Sequence, residues 1–248
     1  MDADAVLPYL ERLGFDDHDA RTLADHFLDA EARGKTGHGL SRVEWLSTLD
    51  DLDPSAKPER ILSEDGFERW HGRGALGYLT LAAICDAQLA SPPPHARLVV
   101  ADRCFPTGTL GYWARRLAEG GLVAALTATS PPRLAHPEGG PKLAGTNPLA
   151  IGIPSSDGRV VVSDASMAKV THGEVIAGLA KPVDVKPFGG DQAHKAFALA
   201  VGLQLLVDSL VREAYGAVLI VARPEVDPVP DLRARAAGVR LPGDGPRR

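Results

Sequence analysis

Five short apolar runs, each bounded by turn-forming residues, set the architecture open to this chain. Leu98 to Ala101, Leu122 to Thr127, Leu149 to Ile153, Val160 to Asp164 and Gly216 to Ala222 are too short for helices and read as strands, the first with the continuous apolar character of a strand buried on both faces and the fourth ending on an acid. Between them, Leu110 to Leu117 and the long apolar stretch Ala196 to Leu210 read as helices. This alternation predicts an α/β fold. The order strand, helix, strand from Leu98 to Thr127 further predicts a parallel pair joined by a crossover helix. Ala165 to Glu174 reads as a short helix or loop, and Lys181 to Lys186 as a linker or edge strand.

The first sixty residues follow another period. Val6, Leu10 and Leu13, then Ala20, Leu23, Ala24, Phe27 and Leu28, recur at helical spacing broken by Gly14, which predicts two helices. Asp16 to Asp19 supplies the second with an N-cap and first-turn acids, and Arg33-Gly34 stops it. His18 and His26 fall on or beside these helices and are expected to be solvated or partly packed. Lys35 to Gly39 then breaks the pattern with two glycines flanking His38, and Val43 to Leu46 resumes a helix. His38 therefore lies in a loop and Arg42 about one turn into the next helix. An imidazole there can exchange a proton near neutral pH, and a guanidinium can hold a carboxylate through paired hydrogen bonds. A helix start capped by its histidine fits the same spacing. The chain thus divides into a helical region over 1–60 carrying the His/Arg loop, an α/β core over 61–230 and a C-terminal tail over 231–248, of which Arg240 and Gly243 to Arg248 read as frayed.

With 248 residues, 44% of them hydrophobic and 24% charged, the chain can bury a substantial core. A formal net charge of -5 gives no electrostatic reason to expect nucleic acid or an anionic membrane as partner. Met1-Asp2-Ala3-Asp4 has neither the basic start nor the apolar segment of a signal peptide, and no run reads as long enough to span a bilayer. The expected compartment is the cytoplasm. Cys85 and Cys104 are too few for a disulfide framework and have no partners at metal-ligand spacing. Cys85 reads as an inert core thiol, and Cys104 lacks the dedicated histidine that a nucleophile needs.

Two glycine-rich turns invite a cofactor reading. Gly72-Arg73-Gly74-Ala75-Leu76-Gly77 has the spacing of a dinucleotide fingerprint and opens a helix to Leu89. However, Phe67 to His71 before it is a weak strand and the acid Asp102 lies too far downstream, so a tight turn into a packed helix is expected. Gly145-Thr146-Asn147-Pro148 feeds the run at Leu149 and faces Pro137-Glu138-Gly139-Gly140, a place where backbone amides can converge at a strand mouth. Turn chemistry alone makes it structural.

Taken in order, these pieces give the chain a family likeness. Gly37-His38-Gly39-Leu40-Ser41-Arg42, Gly72 to Gly77, Gly108-Thr109-Leu110-Gly111-Tyr112-Trp113, Pro137 to Gly140 with Gly145 to Pro148, Asp164, Gly189-Gly190 with Lys195, and Gly238 to Gly243 resemble the malate/L-lactate dehydrogenase family of NAD(P)-dependent oxidoreductases over nearly the whole chain. The resemblance implies an α/β fold of non-Rossmann type, with a helical N-terminal region and a mixed, largely buried sheet, assembled as a homodimer. It implies that His38 donates a proton to a substrate oxygen or imine nitrogen, that Arg42 anchors a small-molecule carboxylate, and that Asp164 belongs to the catalytic set. It also implies that Gly145, Thr146, Asn147 and Lys195 contact NADPH or NADH, the source of hydride.

Where the family carries Asn-Ser-x-His, this chain reads Arg103, Cys104, Phe105, Pro106, and after Asp164 it reads Ser166, Met167, Ala168 in place of Ala-Thr-Ser. The segments between Glu174 and Gly189 and before Gly216 are shortened. Two enzymatic expectations follow: reduction of a 2-oxo acid or cyclic 2-imino acid by NAD(P)H, or, with the cofactor lost, proton-transfer chemistry such as isomerisation, elimination or cyclisation on an amino- or oxo-acid. A regulatory relic is the non-enzymatic expectation, against which His38 and Arg42 together argue.

Overall fold

The computed structural model describes residues 1–244. Its helices and strands, in chain order, are α1 (Val6–Arg12), α2 (Asp17–Ala32), α3 (Leu40–Leu46), β1 (Glu59–Glu64), β2 (Phe67–His71), α4 (Gly77–Ala90), β3 (Ala96–Asp102), α5 (Leu110–Glu119), β4 (Val123–Ala128), β5 (Leu149–Ile153), β6 (Val161–Ala165), α6 (His172–Ile176), α7 (Ala193–Leu210), β7 (Ala217–Ala222) and α8 (Val229–Ala236). The predicted N-cap of α2 forms, with the Asp16 carboxylate accepting from Asp19 N at 2.9 Å.

The strands form one seven-stranded mixed sheet in the order β1-β2-β3-β7-β4-β5-β6. Among the described strands only β2 and β3 pair in parallel, with α4 as their crossover. The parallel pair expected between β3 and β4 does not form. β7 lies between them and is antiparallel to both, so they share a direction but no hydrogen bonds. The last strand occupies the centre because it can fill both faces: Ala217, Leu219 and Val221 join the main core, while Val218 meets Val100 and Val207 on the other side.

That main core holds α1 to α5 against one face of the sheet. Leu10, Phe27, Leu46, Tyr78, Leu81, Leu110 and Trp113 pack with Val99, Leu126 and Leu219, and each such aliphatic side chain contributes about 1.5–3 kcal/mol by leaving water. His26, expected to be solvated or partly packed, is wholly buried there. α7 lies over β4 and β7 on the opposite face. It buries Ala196, Ala200 and Val207 and leaves Leu199, Leu205 and Leu206 exposed. Gly190–Leu210 is therefore a correction to the reading of no membrane-length segment: at a mean hydropathy of 1.2 it is long and apolar enough to cross a bilayer by length and composition alone. In this fold it docks on the sheet.

Two elements had little apolar signal. β1 is exposed along its length and is held by antiparallel backbone pairing to β2, with the chain reversing through Gly66 at φ 75°. β2 is mostly buried although it carries Glu68 and Arg69, because each charge is matched. Glu68 accepts from Trp70 Nε1 at 3.0 Å and Gln88 Nε2 at 2.9 Å and faces Arg97 at 3.3 Å, while Arg69 pairs with Asp102 at 3.0 Å. The Gly72–Gly77 turn is a packed one. A Cβ on Gly77 would stand 2.7 Å from Phe105 N, so the loop after β3 crosses directly over the start of α4.

The C-terminal residues through Asp244 are held, which corrects the frayed reading there. Pro242 O accepts from Val162 N at 3.1 Å beside β6, and Asp244 pairs with Arg233 of α8 at 3.1 Å. Residues 245–248, the rest of the expected tail, lie outside the described residues.

Candidate active site

The loop after α2 is fixed by its own backbone. His38 N donates to Lys35 O at 2.8 Å, the Glu31 carboxylate accepts from Leu40 N at 3.1 Å, and Ser41 Oγ donates to Thr36 O at 2.9 Å. α6 packs against this loop so closely that both partners must be glycine. A Cβ on Gly37 would lie 2.6 Å from Glu174 N, and one on Gly173 only 2.1 Å from Gly37 O. α6 is in turn set by a capping box, in which Thr171 Oγ1 accepts from Glu174 N at 3.2 Å and Glu174 Oε2 accepts from Thr171 N at 2.6 Å. The His38 loop and the turn bearing His172 are thus one rigid wall.

A third piece, Thr107 to Thr109 at the start of α5, is supported from beneath. Thr109 N donates to His26 Nε2 at 3.1 Å, and Trp113 Nε1 donates to Thr107 O at 2.9 Å. Burial, more than the neighbouring charges, pushes His26 down to about 3. It is therefore neutral at pH 7 and able to accept that bond. With Thr129 to Pro131, Arg133, Thr146, Asp164 and Ser166, these pieces enclose a cavity of about 420 Å³, within the range of small-molecule sites.

Arg42 is only 7% exposed. Its Nε donates to Gly37 O at 3.1 Å and its guanidinium lies 4.5 Å from the centre of the Trp45 ring. Burial lowers its proton affinity, and the one charge influence opposing that comes from Tyr78 rather than a carboxylate. A guanidinium stays charged in such a place, so the cavity presents a cation with no anionic partner among the described residues. His38 stands in the same cavity. Burial first, then Arg42 and Lys35, push it down to about 3, and its Nδ1 is buried without a hydrogen-bond partner.

The remaining sequence-derived candidates separate. Asp164 lines the cavity, packed against Gly111, with its charge met by Lys35. Thr146 lines it too. Gly145 and Asn147, expected at the cofactor, point into the protein: Gly145 N donates to Gln204 Oε1 at 3.2 Å, and Asn147 Nδ2 donates to Ala200 O and Gln204 Oε1, both at 2.9 Å. The turn's polar groups serve to lock α7 to β5. Lys195, also expected at the cofactor, is exposed on the first turn of α7 and is absent from the cavity wall. Cys104 is 0% exposed and burial drives its thiol upward, which removes it as a nucleophile; Cys85, pushed up to about 12, is a core thiol.

Sequence reasoning missed Arg133, His172, Lys35 and Ser130. Arg133 N donates to Ala144 O at 2.8 Å, and the next residue, Leu134, is fully buried in a small core with Ala144, Met167 and Ala200. That anchoring turns the Arg133 side chain to the cavity, and no spacing motif announces it. His172 is pushed down to about 4 by burial, then by Arg133 and Arg42.

Comparison with known proteins agrees with this architecture. The malate/L-lactate dehydrogenase family model matches residues 3–182. A 2,3-diketo-L-gulonate reductase of Klebsiella pneumoniae is 30% identical over 179 residues, which are 66% of this chain and 52% of the reductase. A malate/(S)-sulfolactate dehydrogenase of Methanothermus fervidus is 26% identical over 242 residues, 85% of this chain and 69% of that one. The chain therefore spans about half the length of the diketogulonate reductases it matches. Among solved structures, the Δ1-piperideine-2-carboxylate reductase of Pseudomonas syringae superposes with a TM-score of 0.83 at 22% identity, over 98% of this chain and 89% of that chain. The fold is shared, the named relatives are oxidoreductases, and the family model takes in most of the chain: it is a member of the malate/L-lactate dehydrogenase family.

Proposed function

We propose that the cavity reduces a 2-oxo acid or a cyclic 2-imino acid at the expense of NADPH or NADH. The observation that carries this reading is a buried guanidinium without an anionic partner, Arg42, in one cavity with an imidazole whose Nδ1 is unsatisfied, His38. The first suits a carboxylate and the second a carbonyl oxygen or imine nitrogen.

The two act in sequence. In the free protein Arg42 and Lys35 help keep His38 neutral. A carboxylate on Arg42 cancels part of that field, so the proton affinity of His38 rises when substrate enters, although burial, the larger cause, remains. The His38 ring N–H is the proton donor to the substrate atom that becomes electron-rich during reduction. Lys35 neutralises Asp164 at the same cavity.

The residues present fit the nicotinamide end of the cofactor. Ser130 Oγ is buried and unpartnered, and Ser130 and Thr146 both line the cavity, a small polar set suited to a carboxamide; the hydroxyls of Thr129 and Ser166 on the same wall are already bonded to Gly216 and to Thr146 O and Ala168 N. When bound, the nicotinamide supplies the hydride. The alternative, cofactor-independent proton transfer by His38 on an amino- or oxo-acid, is favoured by one feature: the loop Arg103 to Pro106 presents only Phe105 and Pro106 to the cavity and no polar side chain. Titration with NADPH and NADH, followed by nicotinamide fluorescence, tests the choice. Saturable binding is expected; its absence up to millimolar cofactor removes the reductase reading.

A homodimer belongs to the same proposal, supported by the exposed Leu199, Leu205 and Leu206 on α7, which a second copy would cover. A cytoplasmic setting is supported by two cysteines that are both unpaired.

A further inference from the structure

Arg42 answers for one anionic group. The same cavity carries a second guanidinium, that of Arg133, and its surroundings leave it equally uncompensated. Arg133 is half-buried, makes no ion pair and no side-chain hydrogen bond among the described residues, and lines the same cavity as Arg42, close enough for that guanidinium to oppose its charge. The two acids at the cavity are already engaged. Asp164 is held by Lys35, and Glu174 accepts from the backbone and hydroxyl of Thr171 at 2.6 and 2.9 Å. His172, on the turn opposite, is near enough to feel both guanidinia and has a ring free to donate a hydrogen bond.

Two like charges held together in a partly buried cavity repel one another unless anions enter. The Arg133 backbone is fixed at the cavity wall, because its own N and that of Leu134 both donate to Ala144 O at 2.8 Å and the Leu134 side chain is wholly buried. The fold therefore presents two guanidinia to one cavity, more than one carboxylate needs.

We infer that Arg133, assisted by His172, is a specificity-determining subsite for a second anionic group at the far end of the substrate, so that the protein selects doubly charged acids over singly charged ones. This rests on Arg42 as the anchor of the first carboxylate. Arg133 makes no contact with the reacting carbon and acts on binding alone.

Calorimetric titration of the full chain with L-malate and with L-lactate, with and without NADPH, tests this without turnover. These probes share the 2-hydroxy acid and differ in the second carboxylate. The wild type is expected to bind malate at least about tenfold more tightly than lactate. Arg133→Ala should bring the two affinities within about twofold while leaving lactate unchanged, and Arg133→Lys should restore part of the preference. Arg133→Gln, with a similar stem and a neutral end, serves if the alanine variant does not fold. The inference is overturned if the wild type shows no preference or binds neither acid, or if Arg133→Ala weakens both alike. Failure of the underlying readings looks different. Arg42→Ala that leaves lactate binding intact removes the anchor, and an Arg133-dependent malate preference in a protein that ignores NADPH removes the reductase chemistry while the subsite stands.

Discussion

The loop from Thr36 to Arg42 and the turn from Gly145 to Pro148 are both short, glycine-containing and polar, yet their side chains meet opposite fates. The first spends its backbone on local hydrogen bonds and presents His38 and Arg42 to the cavity unmatched. The second sends the Asn147 amide inward to Ala200 O and Gln204, and only Thr146 and Pro148 reach the cavity. Asn147 is 0% exposed and sits at φ 28°, so its position is bought by those bonds. The paired Asn147 Nδ2 holds the fold together although its Oδ1 is buried without a partner, whereas the unpartnered His38 Nδ1 stands beside a cavity and suits a ligand.

Substitutions can sharpen this contrast. The largest effect is expected at His38. His38→Gln should lower kcat on a 2-oxo or cyclic imino acid by about 10²–10⁴-fold with Tm little changed, since only a proton donor is removed. A kcat within a fewfold of wild type would take His38 out of the mechanism.

Asn147→Ala should show the reverse pattern. Two buried hydrogen bonds vanish and alanine inherits an unfavourable φ, so urea denaturation should report a loss of about 2–4 kcal/mol, with KM for the substrate little changed. Unchanged stability together with a raised KM would place the turn on the ligand side after all.

The smallest effect is expected at Lys195. Exposed and outside the cavity wall, it should tolerate Lys195→Ala with less than about a twofold change in kcat/KM and in NADPH affinity. A tenfold loss of NADPH affinity would show that the cofactor extends over the first turn of α7.

Local chemistry explains which features were legible. The α2 helix, its Asp16 cap, the apolar strands and the His38-Arg42 spacing were readable because each depends on neighbours within a few residues. β2 was only weakly legible because its charges become tolerable only after Gln88, Arg97 and Asp102 arrive from elsewhere. His26 read as an ordinary helix histidine; only the packing of α2 against α4 and α5 makes it the buried acceptor beneath Thr109.

By itself the sequence determined the alternation of strands and helices, the family likeness and the placing of an imidazole one helical turn before a guanidinium. Tertiary structure decided that β7 enters between β3 and β4, that Asn147 turns inward and Lys195 stays outside, and that Arg133 and His172 join Arg42 at one cavity. The reason is range. Periodicity and caps are set by neighbouring residues, whereas the charge balance of a cavity depends on which distant side chains find a partner and which are left without one.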